Sequence, residues 1–194
     1  MEAKKTKSWT AKDYIVLALS VILAISIVTT IIVIVLSPVD IKFSVTHAWN
    51  WSDKSGHDGR YLNITIAANN SGSHTKVSYQ SFFVDLRNNS GAGGATSDAG
   101  DWIHATVLDP KPNKKNFFEQ GPKCKTVIRS SVFLVEGTEW IGGVDNGDGF
   151  AVVVMAQVRF KVGVAPSRVY DIKVSCYPVI FGDENSRMVP VGCK

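Results

Sequence analysis

The side chains from which a reaction centre could be built are scattered along this chain. Its histidines, His47, His57, His74 and His104, lie in four separate segments, with no H-x-H or H-x-x-x-H pair and no cysteine at ligand spacing. A zinc site needs three or four such ligands converging on one ion, so these histidines read as surface or loop residues. No G-x-S-x-G pentapeptide sets a nucleophile on a strained turn, and no G-x-x-x-x-G-K-[ST] loop cradles phosphate. Glycoside hydrolysis requires two placed carboxylates, and no acid pair stands at recognisable positions. Asp145-Asn146-Gly147-Asp148-Gly149 lacks the alternating oxygen ligands and distal glutamate of a calcium loop. A tight hairpin turn explains this run better, and its acidic tip, Asn146, Gly147 and Asp148, is a candidate interaction loop. The expectation is a protein that is not an enzyme, with no catalytic residues, cofactor or metal.

The cysteines and asparagines point to covalent chemistry of another kind. Cys176 and Cys193 flank Gly182-Asp183-Glu184-Asn185-Ser186, a turn sequence, and lie equally far from the midpoint between Glu184 and Asn185. A hairpin closed there sets the two opposite each other at about 4.5–5.5 Å between Cα atoms, a spacing that permits a disulfide; two reduced thiols packed as small hydrophobes are the alternative. Cys124 is left free or available for pairing between chains. N-x-[ST] sequons occur at Asn50, Asn63, Asn69 and Asn88, each a candidate glycosylation site. Asn63 falls inside an apparent strand, so it is accessible only if its side chain faces outward.

Two aromatic groups invite binding readings. Trp49, Trp51, Tyr61, Trp102 and Trp140 could stack on pyranose rings, although aromatics in strands also serve as core or cross-strand pairs. Lys111, Lys114, Lys115, Lys123 and Lys125 bracket Phe117-Phe118. This stretch reads as a solvated loop beside a buried phenylalanine pair, with contact to acidic polymers or lipid headgroups as the functional alternative.

These residues must be positioned by two very different parts of the chain. From Ile15 to Leu36 no charged residue occurs, and Ile, Val and Leu dominate. As a helix the stretch measures about 33 Å, enough for a hydrocarbon core of about 30 Å. A cleaved signal peptide has a shorter apolar region ending in small residues, whereas this one ends in Leu36-Ser37-Pro38. Lys4, Lys5, Lys7 and Lys12 precede it, which favours a cytosolic N-terminus. Trp9 and Tyr14 suit the interfacial belt. The expected layout is a cytosolic tail over 1–13, a transmembrane helix over 14–37 and a luminal or extracellular domain over 38–194. The net charge of +4 includes +2 from the first 13 residues, leaving too little basic excess for nucleic-acid binding.

Beyond Pro38 the pattern changes to period-two alternation, the mark of half-buried strands. Strands are expected at Ile41–Thr46, Leu62–Ile66, Val77–Leu86, Trp102–Leu108, Thr126–Val135, Phe150–Val162, Val169–Tyr177 and Met188–Gly192, with no soluble helix. Seven to eight antiparallel strands separated by Gly-, Asn- and Asp-rich turns predict an all-β antiparallel β-sandwich of the immunoglobulin or fibronectin-III type behind one N-terminal transmembrane helix.

Several stretches resemble one family. Ser37-Pro38-Val39-Asp40-Ile41-Lys42-Phe43-Ser44-Val45-Thr46-His47-Ala48 after a Lys-bearing tail and one span is similar to the opening of plant NHL proteins. These are the harpin-induced and non-race-specific disease-resistance-like group, which carries a late embryogenesis abundant group 2 domain. Ala67-Ala68-Asn69-Asn70-Ser71 with Val77-Ser78-Tyr79 resembles the family's N-P-N and Y-Y-D region, Asn70 replacing its proline. Phe117-Phe118-Glu119-Gln120 resembles its P-F-Y-Q stretch, with Phe118 and Gln120 kept. Val158-Arg159-Phe160-Lys161-Val162-Gly163 and Val174-Ser175-Cys176-Tyr177-Pro178-Val179 resemble the V-R-[FY]-K-[VI]-G and V-x-C-x-P-V signature. The resemblance implies plasma-membrane residence and a role in pathogen defence or abiotic stress, and it carries no catalytic residues. The functional expectation is a non-catalytic membrane protein that contacts a protein partner or cell-wall polymer, alone or as a homo- or hetero-oligomer. A lipid-handling module is the alternative.

Overall fold

The computed structural model describes residues 10–36, 39–52, 59–88, 102–110, 116–135, 139–145, 147, 149–162, 165–186 and 188–194. The chain forms two units, Met1–Pro38 and Val39–Lys194.

The first unit holds helix α1 (Ala11–Leu36). Its start is fixed by Thr10, whose backbone N–H and hydroxyl both donate to Asp13 Oδ2 at 2.8 Å. Asp13 reaching back to the Thr10 N–H is one half of a capping box, with aspartate in the glutamate position. Ser20, Thr29 and Thr30 return their hydroxyls to the carbonyls of Leu17, Ile25 and Ser26, each at 2.8 Å, so none presents an unpaired polar group to an apolar surround. Leu19, Ile22, Leu23, Ile25 and Val28 are all exposed, unlike the side chains of a core helix. Among the described residues, Ala11–Thr30 is the one stretch long and apolar enough to cross a membrane.

The second unit is antiparallel. Its strands are β1 (Ile41–Ser52), β2 (Gly59–Asn70), β3 (Thr75–Asn88), β4 (Trp102–Asp109), β5 (Phe118–Gln120), β6 (Lys125–Val135), β7 (Phe150–Val162), β8 (Ala165–Val179) and β9 (Val191–Gly192). They follow one hydrogen-bonded path, β8-β7-β3-β4-β6-β2-β1-β9, with β5 lying against β3. The all-β antiparallel class is therefore present, but the arrangement is barrel-like, and no sandwich of two separate sheets is shown among the described residues. The physical reason lies in β4, whose first half pairs with β3 (Leu86 opposite Ile103) and whose second half pairs with β6 (Thr106 opposite Ser131). One strand thereby serves both sides. At the opposite seam Ser175 and Lys194 exchange backbone hydrogen bonds of 2.9 and 3.0 Å, and Cys176 stands opposite Cys193, drawing β8 toward the end of the path.

Alternation decides which face is inside. Leu62, Ile64 and Ile66 of β2, Val77, Tyr79, Val84 and Leu86 of β3, and Ile128, Val132 and Leu134 of β6 point into one continuous core. Val152, Val154 and Val158 join them without measurable exposure. β7 departs from strict alternation: Phe150 through Val154 are buried on both faces. A bulge between Val45 and His47 in β1 preserves the inward phase of Ala48.

Three local expectations require correction. A short helix, α2 (Glu139–Asp145), stands where no helix was expected; its Trp140 stacks on Phe150 at 6.0 Å, so core packing rather than length holds it. Gly147, at φ 71°, donates its N–H to Val144 O at 3.2 Å. It terminates α2 in the manner of a helix C-cap instead of forming a β6–β7 hairpin, because β6 and β7 never pair. The last strand is only Val191–Gly192, and it pairs with β1 rather than β8. The turn before it is present, closed by Ser186 N–H donating to Asp183 O at 2.9 Å.

Candidate functional site

The motif residues converge on a buried polar knot. Gln120 of β5 donates through Nε2 to Ala68 O at 2.8 Å and Cys124 O at 2.7 Å, while its Oε1 accepts from the Tyr79 hydroxyl at 3.1 Å. Asn70, at the end of β2, donates through Nδ2 to Thr75 O at 2.8 Å and Gly121 O at 2.9 Å. Its Oδ1 accepts from Gly72 N–H at 3.0 Å. Phe118 stacks on Tyr79 at 4.0 Å between ring centroids. Asn70, Tyr79 and Gln120 are all buried, and burial pushes the Tyr79 phenol above its ordinary pKa. Every polar group of this knot is spent on a backbone carbonyl, a backbone N–H or a knot neighbour. The arrangement ties the β2–β3 turn to the β5–β6 turn, and it offers no free group for chemistry on a substrate.

The cysteines and sequons are placed as follows. Cys176 and Cys193 are joined, with Sγ atoms 2.01 Å and Cα atoms 4.0 Å apart; Cys124 is free and exposed. Asn50 is held by the 182 region, its backbone N–H donating to Gly182 O at 3.0 Å and its Nδ2 to the same oxygen at 3.4 Å. Asn63 faces outward from the middle of β2, and Asn69 is exposed. The side chain of Asn88 lies outside the described residues, as do Asn146 and Asp148 of the candidate interaction loop, leaving only Gly147.

The outer face of β1, β2, β6 and β4 carries the arrangement that the sequence does not reveal. Trp51 lies opposite Tyr61, and Tyr61 lies opposite Phe133, with ring centroids 5.4 and 4.8 Å apart. The next row is Trp49, Asn63, Ser131 and Thr106. Together Trp51, Tyr61, Asn63, Thr106, Leu108 and Phe133 line an open groove of about 440 Å³. Trp51 and Phe133 remain 51% and 42% exposed, so this aromatic row faces solvent. Trp102 and Trp140 do not join it. Trp140 is buried, and Trp102 carries Arg87 over its ring at 5.5 Å. A second groove, of about 610 Å³, runs past Lys42, Asn69, Lys125 and Lys194.

Of the histidines, His47 Nε2 lies 3.1 Å from Glu184 O, and His104 donates from Nδ1 to the buried Asp85 carboxylate at 2.6 Å. His57 lies outside the described residues. No group of three or more His, Cys, Asp or Glu able to hold a metal ion occurs among the described residues. In the basic-aromatic stretch, Phe118 is buried and Phe117 partly so, and β5 begins at Phe118 rather than the whole stretch being loop.

No protein-family model and no curated protein matches the chain. Among solved structures, one titled "Crystal structure of protein from Archaeoglobus fulgidus" is similar at 11% identity with a TM-score of 0.28, covering 68% of this chain and 95% of that one.

Proposed function

We propose that this chain is a non-catalytic, single-pass plasma-membrane protein of the NHL type, with its N-terminus cytosolic and its β domain outside the cell. There it meets a protein partner or wall polymer during defence or stress. The observation that carries the reading is the charge-free helix between Tyr14 and Leu36, whose side chains from Tyr14 to Thr30 are exposed, followed in sequence by an all-β unit that starts at Val39. The lysines before Tyr14 support the orientation. The contacts among Tyr79, Phe118 and Gln120 support the family resemblance, since these motif residues share one structural task. The side chains filling the interior, among them Leu62, Ile64, Ile66 and Val154, favour contact through the outer face over a lipid chamber between strands.

The test is protease applied to intact cells expressing the full chain with an N-terminal tag. External digestion should remove the β domain and leave the tag attached to the membrane. A β domain fully protected in intact cells and digested only after permeabilisation would overturn the orientation. Proximity labelling from the outer domain would then identify the partner, and loss of labelling on changing outer residues but not the tail would localise the contact.

A further inference from the structure

Resting on the extracellular orientation proposed above, we infer that the aromatic row Trp51–Tyr61–Phe133 is the seat of an N-linked glycan carried by Asn63. Three observations converge on that occupant. First, Asn63 opens the sequon Asn63-Ile64-Thr65 and is itself part of the groove that the three rings line. Tyr61, Asn63 and Thr65 alternate with the buried Leu62, Ile64 and Ile66, so they share the outer face, and Asn63 stands about 7 Å along the strand from the ring row. Second, the rings are in direct cross-strand register over three strands yet keep much of their area in solvent. An exposed contiguous aromatic surface of this kind marks a binding site more often than chance exposure does. Third, no hydrogen bond engages the Asn63 side chain among the described residues, whereas the Asn50 amide is already bonded to Gly182 O.

The chemistry matches. In the modification, Asn63 Nδ2 displaces the diphosphate of a polyprenyl-diphosphate oligosaccharide at C1 of the first N-acetylglucosamine. The C1–O bond breaks, the C1–N bond forms, and the amide proton leaves with the released polyprenyl diphosphate. The sugar's C–H face then lies against rings whose π faces are electron-rich, while Ser131 and Thr106, in the row of Asn63, offer hydroxyls to its polar edge. The groove is thus covered by the chain's own glycan.

The experiment is glycopeptide mass mapping of the full chain from eukaryotic cells, followed by thermal unfolding in detergent. We expect Asn63 occupied, and the Tm lowered by about 2–4 °C when Asn63→Gln removes the glycan. In a Trp51→Ala, Phe133→Ala background the same removal should shift Tm by less than half as much. Both ring substitutions lie on other strands, away from the sequon, and Thr65→Val provides a second way to abolish modification if Asn63→Gln fails to fold. Sugar on Asn50 or Asn69 with Asn63 bare would overturn the inference and leave the orientation standing. No sugar on any sequon would overturn this inference, and the protease digestion of intact cells would read separately whether the orientation stands. Equal Tm losses in both backgrounds would show a glycan that ignores the rings, and would give the row to a protein or polymer partner instead.

Discussion

Tyr79 and Gln120, 41 residues apart in sequence, meet in the core with the phenol donating to the amide oxygen at 3.1 Å. The contact is the centre of the knot, because the same glutamine also holds the Ala68 and Cys124 carbonyls. Tyr79→Phe should cost about 1–3 kcal/mol by leaving a buried acceptor unpaired. It should also change the pH profile. Burial raises the phenol's pKa in the folded chain, so its stabilisation is complete below the unfolded value near 10 and declines as pH rises above it. Chemical denaturation from about pH 8 to 11 should show the decline in the native chain and a weaker one in Tyr79→Phe. Identical profiles would remove Tyr79 as its source.

The seam between β8 and the chain end depends on Cys176–Cys193, separated by 17 residues. Replacing both with alanine should cost about 3 kcal/mol, lowering Tm by roughly 6–12 °C. Reducing agent should lower the native chain toward the same value and leave the double variant unchanged. A Tm that does not move would mean that backbone pairing alone closes the seam.

Gly59 opens β2 where the chain has no room for a side chain. A Cβ there would stand 2.5 Å from Leu134 O and 2.4 Å from Phe133 Cζ. The phenylalanine can turn away, but the carbonyl belongs to the ladder. Gly59→Ala should therefore destabilise by about 1–3 kcal/mol, read by denaturant midpoint with unchanged slope.

Ser130 Oγ is buried without a hydrogen-bond partner among the described residues. It lies at the inward phase of β6, with Ile128 and Val132 on the same face. Ser130→Ala removes an unpaired hydroxyl, so stability should hold or rise by up to about 1 kcal/mol. A clear loss, measured in the same denaturant series, would reveal a partner for this hydroxyl.

Ile22 and Ile25 sit near the middle of the apolar span. Arginine at each should cost about 3 kcal/mol of insertion energy and move much of the full chain out of the carbonate-resistant membrane fraction. An unchanged fraction would show that the helix is not what holds the chain in the membrane.

The sequence alone determined the two-part layout, because its signals are local. A charge-free run from Ile15 to Leu36 and alternation such as Leu62, Ile64 and Ile66 depend only on the helical and strand periods, and the β4 and β6 segments were legible for the same reason. Short elements were not. β5 and α2 are too brief to carry a period, and they are held by Gln120 and Trp140, whose partners lie far away in the chain. Tertiary structure set the barrel-like path, through the division of β4 between two neighbours. It also decided that Trp51, Tyr61, Asn63 and Phe133 share one outer surface while Trp140 goes inside. Side-chain phase along a strand is fixed by period two, but which strands lie side by side is set by long-range pairing, and no single strand encodes its neighbours.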